Sequence, residues 1–407
     1  MSIIPLRVVA AISCCGLLTA CTIGDSEQSS SSTGAGSSHS EDAAKGQPVA
    51  SGTEEDQDEQ QTYEPKTVTV AAAGDLLLHT PVSSSAQEHA TGGDYNYVAL
   101  MEEIGPQLNA ADLAICHIEG PMNPRNENLN TGYEMVFNFP KEIARDAKRL
   151  GYEGCDFASN HTIDQGLDGL AETEQVVRDA GLGYAGPTMD EQRAGKAEMY
   201  DVGGAKIAHL AYTYTFPNNA GPTTDVPADA PWLEKALWPA IGAEGIREQA
   251  RQAKEEGADF VVVSMHWGDE YQSLPNEQQQ EIARELLKAE EVDAILGDHV
   301  HVVQPCEKVN GKHVIYGLGN SISNQSPLTS ADFRPDVQDG IVATLTLHRD
   351  ESGKVTTDMA YTPTFVEIPG HTIRTVTAES NPASFARTTG TVEALGGCEA
   401  TLYSEGR

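Results

Sequence analysis

The chain is short of positive charge. Lysine and arginine together number 26 against 61 aspartates and glutamates, a formal net charge of -35 over 407 residues. Nucleic acid is excluded as a partner on that ground, because phosphate binding needs clustered cations. Long apolar runs are lacking too. The strongest, at residues 8–20, is too short to span a bilayer comfortably. No Cys-x-x-Cys spacing occurs, which removes a zinc–thiolate or thioredoxin-like site. No internal repeat is evident. What remains is enough chain for one large or two medium domains, with a hydrophobic content of 39% that suits a globular core.

The apolar run follows a single basic residue, Arg7, and ends in Leu18-Thr19-Ala20-Cys21. That ending resembles the bacterial lipoprotein processing box, so residues 1–21 are read as a lipoprotein signal peptide with Cys21 as the lipid-modified first residue of the mature chain. An ordinary cleaved signal peptide or a buried apolar segment would fit the same residues. Residues 22–65 include "SEQSSSSTGAGSSHSED" and "SGTEEDQDEQQ", rich in serine, glycine and acid, with little to bury. Such a segment cannot offset its ordering entropy and is expected to be a disordered tether. The expected location is the extracytoplasmic face of the cell membrane, held there by a lipid anchor of several acyl chains.

From residue 66 onward short apolar runs alternate with amphipathic stretches. "TVTVAAAGD", "ADLAICHIEG", "GCDFASNH", "KIAHLAYTY", "ADFVVVSMHWG", "VDAILGDHVH" and "HVIYGLGN" read as strands. "KEIARDAKRLG", "LDGLAETEQVVRDAG", "GIREQARQAKEEG" and "NEQQQEIARELLKAE" read as helices, and "DYNYVALMEEIGPQL" as one covering the first strand. This alternation predicts an α/β domain over residues 66–372 with a largely buried sheet. "GIVATLTLHRD" and "KVTTDMAYTPTFVEI" read as an antiparallel pair closing it, and residues 373–407 as a loosely packed extension.

Polar residues fall at the ends of five of these runs. Asp75 ends the first, Glu119 the second, Asn160 and His161 the third, His266 a later one, and His299 and His301 the next. Ligands of open α/β sheets bind beyond the carboxyl ends of strands, so these groups are expected to share one edge. His299 and His301 are two apart, and on an extended strand they would point the same way. Carboxylates, a carboxamide and imidazoles together suit divalent ions such as Mn, Fe or Zn, and the set exceeds what one ion needs. Two ions are therefore expected. His79 and His117 lie near these residues in sequence without a definite role. His39, His89, His209, His313, His348 and His371 have no partner in the pattern. Tyr95, Trp232 and Trp238 are read as packing against the sheet.

Seven cysteines are present. Cys14 and Cys15 leave with the signal and Cys21 carries lipid, so Cys116, Cys155, Cys306 and Cys398 remain, open to three pairings or to four buried thiols. Cys116 and Cys155 each lie shortly before a site residue on runs that should neighbour, which favours a Cys116–Cys155 disulfide and leaves Cys306–Cys398 to staple the last segment.

The motifs "AAGDLLLH", "ADLAICHIEGP", "ASNHTIDQGLDGLAET", "MHWGDEY", "GDHVHVVQP" and "YGLGNSISNQ" occur in that order over residues 68–368. In these the chain resembles the CapA or PgsA family of poly-γ-glutamate capsule biosynthesis. That family looks like a branch of the calcineurin-like metallophosphoesterases. The resemblance implies a layered α/β/β/α sandwich with mixed sheets around a dinuclear site. Carried over, Asp75 and His301 bind one metal, Asn160, His266 and His299 the other, and Glu119 bridges. His161 stays off the metals and acts on the leaving group or the transition-state charge. Two positions depart from the phosphoesterase pattern: Leu77 stands where Asp-x-His would place a histidine, and the bridge is Glu119 rather than an aspartate.

Two functions fit. One is a lipid-anchored metal-dependent hydrolase acting on an envelope polymer or its phosphorylated precursor. The other is a non-catalytic accessory protein of a membrane capsule-synthase complex that binds or guides an anionic polymer; the acidity of the chain leans against the second. A solute-binding lipoprotein would leave the strand-end groups unexplained.

Overall fold

Side-chain alternation along the central strands sets the layers. On Lys66–Leu76 (β1), Val68, Val70 and Ala72 enter one core while Ala71 and Ala73 enter another. This is the two-residue period of a strand buried on both faces. The structure, a computed structural model, describes residues 62–130, 135–218 and 221–404. The signal peptide, Cys21 and all but the last residues of the tether lie outside the described residues.

Leu113–Ile118 (β2), Gly154–Asp156 (β3) and Gly183–Ala185 (β4) follow β1 in parallel to build one side of the first sheet. The chain then crosses to a second sheet. Glu198–Val202 (β5), Ala205–Thr213 (β6), Phe260–His266 (β7), Ala294–Asp298 (β8), Cys306–Val309 (β9) and Lys312–Ile315 (β10) are ordered β5-β6-β7-β8-β10-β9. Strands β6, β7, β8 and β10 run parallel, with antiparallel partners at both edges. Returning to the first sheet, Asn320–Ile322 (β11) pairs with the end of β1, and Asp339–Arg349 (β12) pairs antiparallel along it. Val355–Glu367 (β13) is antiparallel to β12 from Asp339↔Phe365 to Arg349↔Val355, the closing pair read from the sequence.

Helices cover the outer faces. Thr80–Glu88 (α1), Val98–Met101 (α2), Gly105–Ala110 (α3), Glu142–Leu150 (α4) and Gly166–Asp179 (α5) bury Val82, Leu100, Leu108, Ile143 and Leu170 against the first sheet. Trp238–Glu255 (α6) and Glu277–Lys288 (α7) bury Ile246, Ala250, Ala283 and Leu286 against the second. Asn276 starts α7 with a capping box shared with Gln279. Between the sheets Val70, Ile115, Ile207, Val262, Leu296 and Leu345 form the central core. Each such fully buried side chain stabilises the fold by roughly 1.5–3 kcal/mol. The architecture is a layered α/β/β/α sandwich with mixed sheets.

Two readings of the sequence need correction. The expected single helix around residue 100 is broken into α2, a 3-10 turn at Glu102–Ile104 and α3. Pro106 sits in the first turn of α3, where its missing N–H costs nothing and where it cannot extend an earlier helix. The segment after residue 372 is packed rather than loose. Thr372–Thr375 (β14) and Thr401–Leu402 (β15) both pair with β13. Between them Pro382–Val392 (α8) is tied down by Arg387, whose Nε and Nη2 donate to the buried Asp339 carboxylate at 2.7 and 2.8 Å. Cys398 is fully buried and disulfide-bonded to Cys306, with Cα atoms 5.3 Å apart. Cys116 and Cys155 are register partners on β2 and β3 and form a second disulfide, Cα–Cα 4.4 Å.

Candidate metal centre

Two glycines let the strands approach closely enough to present their ends together. A Cβ on Gly74 would collide with the carbonyl of Gly319, and one on Gly297 with that of Tyr316. With both absent, the Asp75 N–H reaches Gly319 O at 3.0 Å. Asp75 lies near the end of β1, Glu119 directly follows β2, and His266 ends β7. Asn160 and His161 stand four and five residues beyond β3, in a turn in which Thr162 Oγ1 donates to the carbonyls of Ser159 and Phe157 and accepts Ser159 N–H. His299 and His301 lie just past β8, both in left-handed backbone conformations, with φ of 90° and 56°. They were expected to converge by strand alternation. Instead two uncommon non-glycine conformations aim them, a kind of strain that concentrates at functional sites.

All seven residues come together and all are buried. Nδ1 of His301 is 3.1 Å from Asp75 Oδ2, and its Nε2 is 3.6 Å from Glu119 Oε1. His266 Nε2 lies 3.9 Å from the same Glu119 oxygen and 2.9 Å from Asn160 Oδ1. Potential donor atoms of Asp75, Glu119 and His301 lie within 4.8 Å of one another, as do those of Glu119, His266 and His299. Glu119 belongs to both groups and sits between them. The Asn160 carboxamide is steadied by donating Nδ2–H to Asn218 Oδ1 at 3.0 Å. Trp238 Nε1–H holds the backbone carbonyl of His266 at 3.2 Å.

The electrostatics of this cluster fit a bound cation. Both oxygens of Glu119, Nδ1 of His266 and Nδ1 of His299 are buried without a hydrogen-bond partner. A buried, unpaired carboxylate costs several kcal/mol, and a cation would remove that cost. Burial pushes the Glu119 carboxyl up to about 8 against the pull of His301. Burial, reinforced by neighbouring imidazoles, holds His266 and His299 well below the ordinary histidine range, in the neutral form that ligates metals. His301 differs: burial opposes its charge, but Glu119 and Asp75 outweigh burial and raise it to about 10. Oxygen and imidazole donors of this kind match a divalent transition ion.

His161 lies beside the cluster rather than in it. Its Nδ1 is 2.7 Å from Asp164 Oδ2, and its ring centroid is 4.4 Å from that of Phe137.

Several neighbours had no assigned role in the sequence reading. His117, on β2, stands with Nδ1 2.6 Å from Asp156 Oδ1 and Nε2 3.9 Å from Asp75 Oδ1. His117, Asp156 and Asp298 also form a compact buried group. Tyr214 packs its ring 4.7 Å from that of His299, and Tyr271 lies 5.8 Å from that of His301. The one available signal was the His-x-Glu spacing of His117 and Glu119, which puts both on one face of a strand. Among the other histidines, His209 bonds Ser264, His313 bonds Thr357 and the Cys398 carbonyl, and His371 bonds Ser85 and Asn324. His79 accepts the Asn324 N–H and meets Phe137 edge-on. His348 lies between Thr67 and Asp358, while His39 is outside the described residues.

Residues 69–325 match the family model described as bacterial capsule synthesis protein PGA_cap. The chain is 27% identical over 265 residues to the PGA biosynthesis protein CapA of Bacillus subtilis, covering 65% of each chain. It is 25% identical over 260 residues to the capsule biosynthesis protein CapA of Bacillus anthracis, covering 63% of this chain and 60% of that one. The matched region thus spans somewhat less than two thirds of these relatives' length. Among solved structures it is similar to the calcineurin-like phosphoesterase YfkN from Bacillus subtilis, with a TM-score of 0.42, 15% identity and coverage of 73% of this chain and 91% of that one.

Proposed function

This chain belongs to the bacterial capsule synthesis protein family, and from that premise we propose that it serves poly-γ-glutamate or capsule production as a lipid-anchored, extracytoplasmic, metal-dependent hydrolase. The observation that carries the hydrolase reading is Glu119, with both carboxylate oxygens buried and unpartnered between an Asp75–His301 group and a His266–His299 group. Asp75 and His301 would hold one divalent ion and Asn160, His266 and His299 a second, with Glu119 available to both. Such ions would supply Lewis acidity and an activated water, for in-line displacement at a phosphate ester or for addition to an amide carbonyl.

The chain's own residues do the rest. Asp164 fixes the His161 ring by accepting Nδ1–H, so that the doubly protonated ring can pass its Nε2 proton to a departing oxygen and return to the neutral form. Phe137 packs against that ring and limits its movement. Tyr214 and Tyr271 wall the imidazoles of His299 and His301 from the side.

Protein purified without chelator is expected to contain divalent metal and to cleave at least one member of a phosphodiester and amide panel. Metal without turnover on any substrate would favour the accessory reading. Leu77, an apolar side chain buried in the core where the phosphoesterase pattern has a histidine, supports that second reading. Its partners would be an anionic polymer or its phosphorylated precursor and a membrane synthase complex. The anchor is tested separately: Cys21→Ser should move the protein out of the membrane fraction, and unchanged retention would end that part of the proposal.

A further inference from the structure

Strand β2 carries His117, and Glu119 follows two residues later, just past the strand's end. His117 is almost completely buried. Its Nδ1 is engaged by Asp156 Oδ1 at 2.6 Å, a separation that leaves no room for an ion between them. Its Nε2 has no hydrogen-bond partner and lies 3.9 Å from Asp75 Oδ1. Donor atoms of Asp75, His117 and His266 fall within 4.8 Å of one another.

His313, by comparison, has both ring nitrogens satisfied, through Thr357 and the Cys398 carbonyl. His117 has one nitrogen held by a carboxylate and the other bare toward a second carboxylate. That is the arrangement of a metal-ligating imidazole whose outer nitrogen is oriented by an acid. β1 supplies no nitrogen of its own here. Leu77, two residues past Asp75, is buried in the core between the first sheet and its helices.

We infer that His117 is a metal ligand through Nε2 at the ion that Asp75 holds, with Asp156 as the positioning residue that fixes its tautomer. This rests on the metal reading proposed above. Position 117 then supplies an imidazole that Leu77 cannot. It also makes β2 a double contributor, donating His117 to one ion and Glu119 to both.

The test is metal binding by the full chain, stripped with chelator and titrated with Mn²⁺ or Zn²⁺. Wild type should take up two ions. His117→Gln should lose one ion or bind it at least about tenfold more weakly, and Asp156→Asn should weaken the same ion by about 10–100-fold. Thermal unfolding of the stripped and the loaded proteins separates a ligand from a packing residue: a ligand variant matches wild type when stripped and loses only the gain that metal brings. Wild-type stoichiometry and affinity in His117→Gln would overturn the inference while leaving the two-metal reading intact. A wild type that binds no ion would overturn both. A crystal of the wild type soaked in Zn²⁺ gives a reading that needs no variant. Nε2 of His117 should stand roughly 2.0–2.1 Å from the metal, and a separation above about 3 Å would refute the inference.

Discussion

Asp164 Oδ2 lies 2.7 Å from Nδ1 of His161 and also accepts the backbone N–H of Phe137 at 2.6 Å. One carboxylate therefore anchors both the imidazole and the residue packed on its face. The ring is fixed before any substrate arrives, and its free nitrogen is Nε2.

His161→Ala should keep the wild-type metal complement and near-native stability while lowering turnover by about 10²–10⁴-fold. Metal analysis alongside kinetics on the best substrate of the panel decides it. Loss of metal would make His161 a ligand, and unchanged turnover would make it structural.

Glu119→Gln should act in opposite directions in the stripped and loaded proteins. Burial already favours the uncharged acid in the stripped protein, and the amide is its neutral isostere, so the stripped variant should unfold at the wild-type temperature or above it. In the presence of metal it should fall below wild type, because the shared ligand is gone. Thermal unfolding with and without chelator reads both signs.

The pairing of Cys306 with Cys398 closes a long loop, with a sequence separation of 92. Cys398→Ser should lower stability by about 2–5 kcal/mol in denaturant unfolding. Mass spectrometry of the non-reduced wild type should find no free thiol among Cys116, Cys155, Cys306 and Cys398, and four free thiols would remove both links.

Asp259 links Lys66 Nζ at 2.7 Å, Arg349 Nη1 at 2.7 Å and the Lys206 N–H at 2.8 Å. Burial alone would raise its carboxyl, but these donors outweigh burial and hold it below the ordinary value of 3.8. The folded state thus gains stability that is fully present above the unfolded value and is lost as pH falls through the lower, folded one. Asp259→Asn should cost about 1–3 kcal/mol at neutral pH. The gap to wild type should close below about pH 4. A constant gap down to pH 2 would show that charge is not what Asp259 contributes.

Asp75, Glu119, Asn160, His161, His266, His299 and His301 were legible because each closes an apolar run, and strand ends of one sheet layer share an edge. Their aim was not. The left-handed backbone at His299 and His301 accompanies contacts to Asp75, 224 and 226 residues away in sequence, which local pattern does not contain. His117 was hidden for a different reason. It lies within a strand buried along its whole length, and its partners Asp156 and Asp298 arrive from β3 and β8. The helix break at Gly105-Pro106 was punctuated in the sequence and passed over. The strands β14 and β15 are too short to show a period, and only β13 makes them strands.

The antiparallel pairing of β1 with β12 has a consequence for synthesis. β1 ends at residue 76 and its partner begins at residue 339, so a chain emerging amino end first offers one side of β1 with no native neighbour for most of its length. Pairing over that separation is slow to form, because the intervening loop must close first. Until then the apolar edge is a template for another chain. Nascent or truncated forms stopping before residue 339 should therefore depend on a holding chaperone, and should clump where the finished protein stays dispersed.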